Sequence, residues 1–279
     1  MALSRYHYSI LTNTEQDHQE LQVLPFIFEH PTLPKLKNNP DGILALLDEF
    51  SRTKKKLITI GHDRGELIKG VIAEYKPSVI VELGGYVGYS AIKFGDALKR
   101  AGGKKYYSLE NDPIMAAISN LLLDLAGLRD VVQILVAPAH VSIAELVKEG
   151  KLEQLEILFL DHWKDRYVPD LHLVESLGLL KPGKSVLVAD NVPRLIESPY
   201  LSWVTASNDQ KKALQKDLEP VSPHQLKSLI QHTDYNDLAE KLDNVAGNPD
   251  LHYHTTVYDF QRPDLLVSTC PNPRVWNMS

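Results

Sequence analysis

Apolar residues along this chain switch repeatedly between two spacings. Five short runs, SVIVEL (78–83), KYYSLE (105–110), VVQILVA (131–137), LEILFLD (155–161) and SVLVADN (185–191), are rich in β-branched or aromatic residues. Between them lie stretches with helical spacing: SAIKFGDALKR (90–100), PIMAAISNLLLDLAG (113–127), VSIAELVKEG (141–150) and LHLVESLGLL (171–180). Pro113 suits a first helical turn, and Gly127 suits the position just past a last one. Strands alternating with helices predict βαβ units and an α/β, doubly wound (Rossmann-like), mostly parallel sheet. Runs that stay apolar along their length are what a sheet covered on both faces requires. Two N-terminal helices precede this core, in DGILALLDEFSR (41–52) and in GELIKGVIAEY (65–75), the second ending before Pro77.

The flanks read differently. Residues 1–40 are polar and carry Pro25, Pro31, Pro34 and Pro40, so they are expected to form an irregular arm with little structure of its own. After Asn191 the alternation breaks. Residues 193–249 hold five prolines (Pro193, Pro199, Pro220, Pro223, Pro249) and mixed-charge helical stretches, which predicts a helical insertion. LHYHTTVYDF (251–260) and DLLVSTC (264–270) then read as two strands turning at Arg262-Pro263, an antiparallel hairpin closing the sheet edge. All 279 residues are expected to make a single domain.

Charge and cysteine content narrow the class. A net charge of −6 gives no electrostatic case for nucleic acid as a partner. The single Cys270 precludes an intramolecular disulfide framework and suits a reducing compartment. The first residues show no apolar signal core, and no run approaches the roughly 20 apolar residues of a membrane span. The expectation is a cytoplasmic protein without membrane association, a monomer or weak dimer acting on small molecules.

Candidate chemistry gathers where strands end. LEILFLD stops at Asp161 and SVLVADN at Asp190 and Asn191. Ligands of such sheets bind outside the carboxyl ends of the strands. Two carboxylates and an amide delivered there make an oxygen site for a hard cation such as Mg²⁺. Lys164, three residues past Asp161, adds a base that a nearby cation would keep neutral more readily. A second constellation is the glycine turn VELGGYVGYS, with Gly84, Gly85 and Gly88 between strand and helix. Glycines there are expected to let backbone N–H groups approach a ligand. Glu110 closes the next strand, 22 residues after Gly88, where a carboxylate can accept from ribose hydroxyls. NAD and S-adenosylmethionine satisfy this pattern equally well.

The blocks GHDRGELIKGVIAEYKPSVIVELGGYVGYSAIKF (61–94), SLENDP (108–113), LFLDHWKDRYVPD (158–170) and LLKPGKSVLVADNV (179–192) resemble, in order and spacing, those of the catechol O-methyltransferase family. That family belongs to the class I S-adenosylmethionine-dependent methyltransferases, and the likeness covers about residues 40–192, with DHWKDRY followed by ADN its most specific part. The resemblance implies Mg²⁺ held by Asp161, Asp190 and Asn191, Lys164 as base, and a diphenol substrate between Lys164, Asn191 and Trp163. It implies cofactor contacts from the Ile60 backbone, Glu82, Gly84, Tyr86, Ser90, Glu110 and Asp161, with an adenine pocket near Asn111, His162 and Trp163. Three positions depart from the family. Its adenine-contacting Ser-Gln pair falls on Ala139-His140, which leaves His140 as the polar side chain there. Its gating tryptophan falls at or near Lys56, and its C-terminal substrate carboxylate falls at Tyr258 or Asp259. The 193–249 insertion is expected to cap the acidic strand edge in place of the missing gate. Other readings are the same chemistry on a caffeoyl-type or polyketide diphenol, an NAD-dependent oxidoreductase, or a ligand-binding pseudoenzyme, against which the intact Asp161, Lys164, Asp190 and Asn191 argue.

Overall fold

Side chains of successive strand residues point to opposite faces of a sheet, and those of the central strands divide accordingly. The computed structural model describes residues 19–192, 198–258 and 264–270. Seven strands form one sheet: β1 (Val79–Leu83), β2 (Lys105–Glu110), β3 (Val132–Val136), β4 (Ile157–Leu160), β5 (Val186–Val192), β6 (His254–Tyr258) and β7 (Asp264–Thr269). Their order is β3-β2-β1-β4-β5-β7-β6. β1 to β5 pair in parallel, while β7 runs antiparallel to β5 and β6 to β7. The doubly wound sheet with its antiparallel C-terminal edge is therefore as the periodicity predicts. The order of strand addition reverses between β1 and β4, the switch point at which such sheets open a crevice.

Ile80, Tyr106, Ile157, Phe159, Val186 and Val188 face one hydrophobic cluster. It is completed by α3 (Pro40–Thr53), α4 (His62–Tyr75), α5 (Tyr89–Arg100) and α6 (Pro113–Ala126). Val81, Leu83, Leu109, Leu158, Leu160, Leu187 and Ala189 face the other, under α7 (Ala139–Lys148) and α8 (Tyr167–Ser176). Local signals hold the helix ends. Asn39 caps α3 through Gly42 N, Asp112 caps α6 through Ile114 N and Met115 N, and Gly127 ends α6 in the left-handed region at φ 71°. α8 begins four residues earlier than the apolar run LHLVESLGLL implies, at Tyr167, with Pro169 in its first turn.

Two expectations for the flanks need correction. Residues 19–40 are not irregular. A 3₁₀ turn (Gln19–Gln22) leads into α1 (Val23–Phe28) and α2 (Leu33–Leu36), and Val23 and Ile27 are wholly buried against the α3 side of the core. Of the 193–249 segment, the described residues 198–249 are largely helical, with α9 (Pro199–Thr205), α10 (Asn208–Leu214), α11 (Pro223–His232) and α12 (Tyr235–Leu242). The expected cap is not what these helices build. Among the described residues, α11 and α12 pack on α7, and α9 packs on α8 and β6, a third layer on one face of the sheet. The reason is apolar content: Trp203, Leu226, Ile230, Leu238 and Leu242 are all buried and join the same hydrophobic cluster as side chains of α7 and α8. No helix among the described residues is long and apolar enough to cross a membrane.

Candidate active site

The acidic end of the site is set by two strands and one helix start. Asp161 follows β4 directly, its N–H still bonded to the Leu83 carbonyl at 3.0 Å. Asp190 and Asn191 lie in β5, where pairing with β7 slips between Ala189 and Val192. Asn191 takes φ 55°, a left-handed conformation that asparagine tolerates better than most residues. A bulge of this kind bends the strand and re-aims its side chains. Here it turns Asp190 and Asn191 towards Arg64, in the first turn of α4. One guanidinium nitrogen, Arg64 Nη1, donates to Asp190 Oδ1 at 2.9 Å, Asp190 Oδ2 at 3.0 Å and Asn191 Oδ1 at 3.1 Å. Three oxygens thus converge on one cationic nitrogen.

Burial dominates the titration of these groups. It raises the Asp161 carboxyl well above the usual range, and the neighbouring Asp190 charge raises it further. Burial also raises Asp190, against the opposing pull of Arg64. Burial lowers the Lys164 ammonium even though Asp161 and Asp190 act to raise it. Two crowded carboxylates of this sort gain most from a shared positive charge. Lys164 Nζ stands 3.8 Å from Asp161 Oδ1 and donates to the Tyr167 hydroxyl at 2.6 Å and to the Asp190 carbonyl at 3.2 Å. Tyr167 in turn offers its hydroxyl to the Leu160 and Asp190 carbonyls, at 2.7 and 3.0 Å, and so ties the ends of β4 and β5 together.

The glycine turn follows β1. Glu110 Oε2 accepts from Gly85 N at 3.1 Å and Tyr86 N at 2.7 Å, while Oε1 accepts from Asp112 N at 2.7 Å. The carboxylate that sequence assigns to ribose hydroxyls therefore also organises the turn. The glycines serve packing as much as ligand approach. A Cβ on Gly84, at φ +94°, would lie 2.7 Å from the Asp161 carbonyl oxygen, and one on Gly88 would lie 2.3 Å from Ser119 Oγ. Glu82 is wholly buried, accepts from Ser108 Oγ, and is pushed by burial up to about 7. Tyr86 donates to Glu20 Oε1, which also pairs with Lys55, both at 2.8 Å, so the N-terminal turn closes against the glycine loop.

Asp161, Lys164, Asp190 and Asn191 are brought together, and Glu82, Gly84, Tyr86, Ser90 and Glu110 surround the adjoining turn. Ile60 and Ser90 are buried, and Asn111 is exposed. His140 and His162 lie behind Tyr167, on whose ring His162 stacks at 5.0 Å between centroids. Both rings flank the buried Asp170, with His162 Nε2 at 2.8 Å from its carboxylate, and His140 Nδ1 faces Arg166 at 3.2 Å. Trp163 is 82% exposed, free to act as the wall of a bound molecule. Lys56 is exposed, Tyr258 ends β6, and Asp259 lies outside the described residues.

Arg64 and Tyr167 have no role in the sequence reading, yet both touch the centre of the site. One signal for Arg64 was available. A cation in the first helical turn opposes the helix dipole, which points to an anionic partner elsewhere. Among the described residues no three His, Cys, Asp or Glu side chains gather into a metal cluster. An oxygen site here needs the Asn191 amide beside the two carboxylates, a hard donor set of the kind Mg²⁺ takes.

The family model described as O-methyltransferase matches residues 38–216. A catechol O-methyltransferase of Mus musculus is 36% identical over 190 residues, 68% of this chain and 69% of that protein. The Bos taurus catechol O-methyltransferase is likewise 36% identical, over 68% of this chain and 67% of its own. Among solved structures, the Bacillus cereus O-methyltransferase in complex with SAH superposes with a TM-score of 0.54 at 16% identity, covering 88% of this chain and 99% of that one.

Proposed function

The chain belongs to the O-methyltransferase family, and from that membership we propose that it methylates one hydroxyl of a catechol-like diphenol. The methyl donor in this reading is S-adenosylmethionine, and a Mg²⁺ ion is held by Asp161, Asp190 and Asn191. The observation that carries it is the convergence of Asp190 and Asn191 oxygens on one positive point, 2.9–3.1 Å away, with Lys164 Nζ 3.8 Å from Asp161. When bound, the donor supplies an electrophilic methyl group and the cation lowers the pKa of a hydroxyl it touches.

The protein's own groups do the rest. The turn at Gly84–Gly88 and the Glu110 carboxylate receive the nucleoside. Asp161 and Asn191 orient the two oxygens of a vicinal diphenol from the strand ends. Lys164 Nζ, lowered by burial, takes the proton of the hydroxyl to be methylated. Trp163 lies along the ring and excludes water from that side. A hydride-transfer reading on NAD would leave the Asp190–Asn191 pair and Lys164 without a task.

Vicinal diphenols, isolated phenols and methoxyphenols incubated with a labelled methyl donor test the proposal. Label should pass only to vicinal diphenols, disappear with EDTA and return with added Mg²⁺. Equal rates in EDTA and in Mg²⁺ would remove the cation from the mechanism, and transfer to isolated phenols would remove the chelating diphenol.

A further inference from the structure

Arg64 stands where the family reading would place a metal's charge. Its side chain is 18% exposed and that of Asp190 2%, so this pair is largely withdrawn from water. A single nitrogen, Nη1, meets both Asp190 oxygens and the Asn191 amide oxygen within 3.1 Å. These are the atoms that two of the three proposed cation ligands would offer. A divalent cation held at about 2.1 Å from such oxygens would lie against Nη1, with two positive charges on one set of lone pairs. Occupation by one requires withdrawal of the other.

The surrounding charges give Arg64 a reason to be there. Asp161 and Asp190 bring two carboxylates to adjoining strand ends, and Arg64 places a positive charge on the Asp190 carboxylate and the Asn191 amide together. Without a positive charge beside them, the carboxylates would repel or take up a proton, and their oxygens would not stay convergent. Arginine suits the task because its guanidinium stays charged and is weakly hydrated.

We propose that Arg64 is a resident counter-cation of the Asp161–Asp190–Asn191 cluster, which a divalent cation must displace in order to bind. This rests on the cation reading of the site given above. Arg64 then keeps the ligand oxygens preorganised in the metal-free protein, and it lowers that protein's affinity for the ion. The coupling is reciprocal: whatever Arg64 takes from cation binding, the cation takes from the Arg64 contact.

Manganese titration followed by the electron paramagnetic resonance signal of free Mn²⁺ tests this on the full chain, without methyl donor or diphenol. Wild type, Arg64→Gln, Arg64→Lys and Asp190→Ala are compared, with circular dichroism to confirm folding. Arg64→Gln should bind Mn²⁺ more tightly than wild type, on the order of tenfold, and Asp190→Ala should lose the site. Arg64→Gln should also melt lower than wild type without metal and gain more from added Mg²⁺. Arg64→Lys keeps the charge on a single ammonium. It should bind Mn²⁺ more tightly than wild type by a smaller factor, and it carries the test if Arg64→Gln does not fold. Equal or weaker Mn²⁺ binding by the Arg64 variants, with wild type binding at a site that Asp190→Ala abolishes, overturns the role of Arg64 and leaves the cation reading standing. Absence of binding in wild type and the Arg64 variants alike, or binding that Asp190→Ala does not change, overturns the cation reading and the proposal with it.

Discussion

At Lys164 the ammonium nitrogen is held 2.6 Å from the Tyr167 hydroxyl and 4.5 Å from the centroid of the same ring. The hydroxyl has one proton, for which the Leu160 and Asp190 carbonyls compete, so its lone pairs remain to accept from Lys164. A flexible four-carbon stem is thereby fixed beside the acidic strand ends. Lys164→Met keeps the stem and removes the proposed proton acceptor, so turnover should fall by about 10²–10⁴-fold with the fold intact. The loss should shrink for electron-poor diphenols, whose hydroxyls ionise without help. Initial rates across diphenols of graded acidity check this, since a uniform loss would mean that Lys164 positions the substrate rather than deprotonating it. The acids and the lysine were legible because each follows an apolar strand run, and strand ends of such sheets are where ligands sit. The partner of Arg64 was not, because Asp190 is 126 residues away along the chain, and only the folded sheet brings them together.

Among the elements, the glycine turn and the β5 bulge fix the site most directly. Gly84 combines φ +94° with a Cβ position 2.7 Å from Asp161 O and 3.0 Å from His162 Cα, and both neighbours are backbone. Gly84→Ala should therefore cost more than a conformational penalty of about 1–3 kcal/mol, because the β1 and β4 ends must separate and Asp161 must move. Gly61→Ala is the control: its φ is +73° but nothing lies within 4 Å of an added Cβ, so only the backbone term applies. Urea midpoints for the two variants should rank Gly84→Ala well below Gly61→Ala, and equal midpoints would show that the β4 end yields freely. The βαβ core could be read from periodicity, whereas the helices of residues 23–36 could not. They are four to six residues long, each contains a proline, and α1 is held by burying Val23 and Ile27 rather than by a repeating pattern. Sequence signals for the insertion helices were present in S-x-x-Q form, since Ser207 with Gln210 and Ser222 with Gln225 make complete capping boxes.

For the molecule as a whole, residues 198–249 behave as a buttress, and their anchor is a buried carboxylate. Glu175 of α8 is 1% exposed and accepts from Trp203 Nε1 at 2.9 Å, Asn248 N at 2.8 Å and the Tyr253 hydroxyl. Lys211 of α10, also buried, lies over the Trp203 and Tyr253 rings at 4.9 and 4.6 Å. Around Glu175 the insertion thus meets the core through a polar cluster set in apolar surroundings, which periodicity cannot reveal because its members come from four separated segments. Tyr200, edge-on to Tyr167, and Asp243, paired with Arg166, extend the contact to the loop that carries Lys164. Burial pushes the Glu175 carboxyl from 4.5 up to about 7, with Lys211 opposing. The folded protein therefore binds this proton more tightly than the unfolded chain. Its contribution to stability is full below pH 4.5 and is lost as the pH rises towards about 7. Glu175→Gln does not titrate; its one oxygen can still accept from Trp203, while its NH2 replaces the oxygen to which Asn248 N donates, a loss that does not vary with pH. Chemical denaturation of both proteins across that window should show wild type losing ground to the variant as the pH rises, by at most about 3 kcal/mol. A difference between the two that stays constant with pH would mean that Lys211 keeps the carboxylate ionised throughout, and that the cluster is an ion pair rather than a protonated acid.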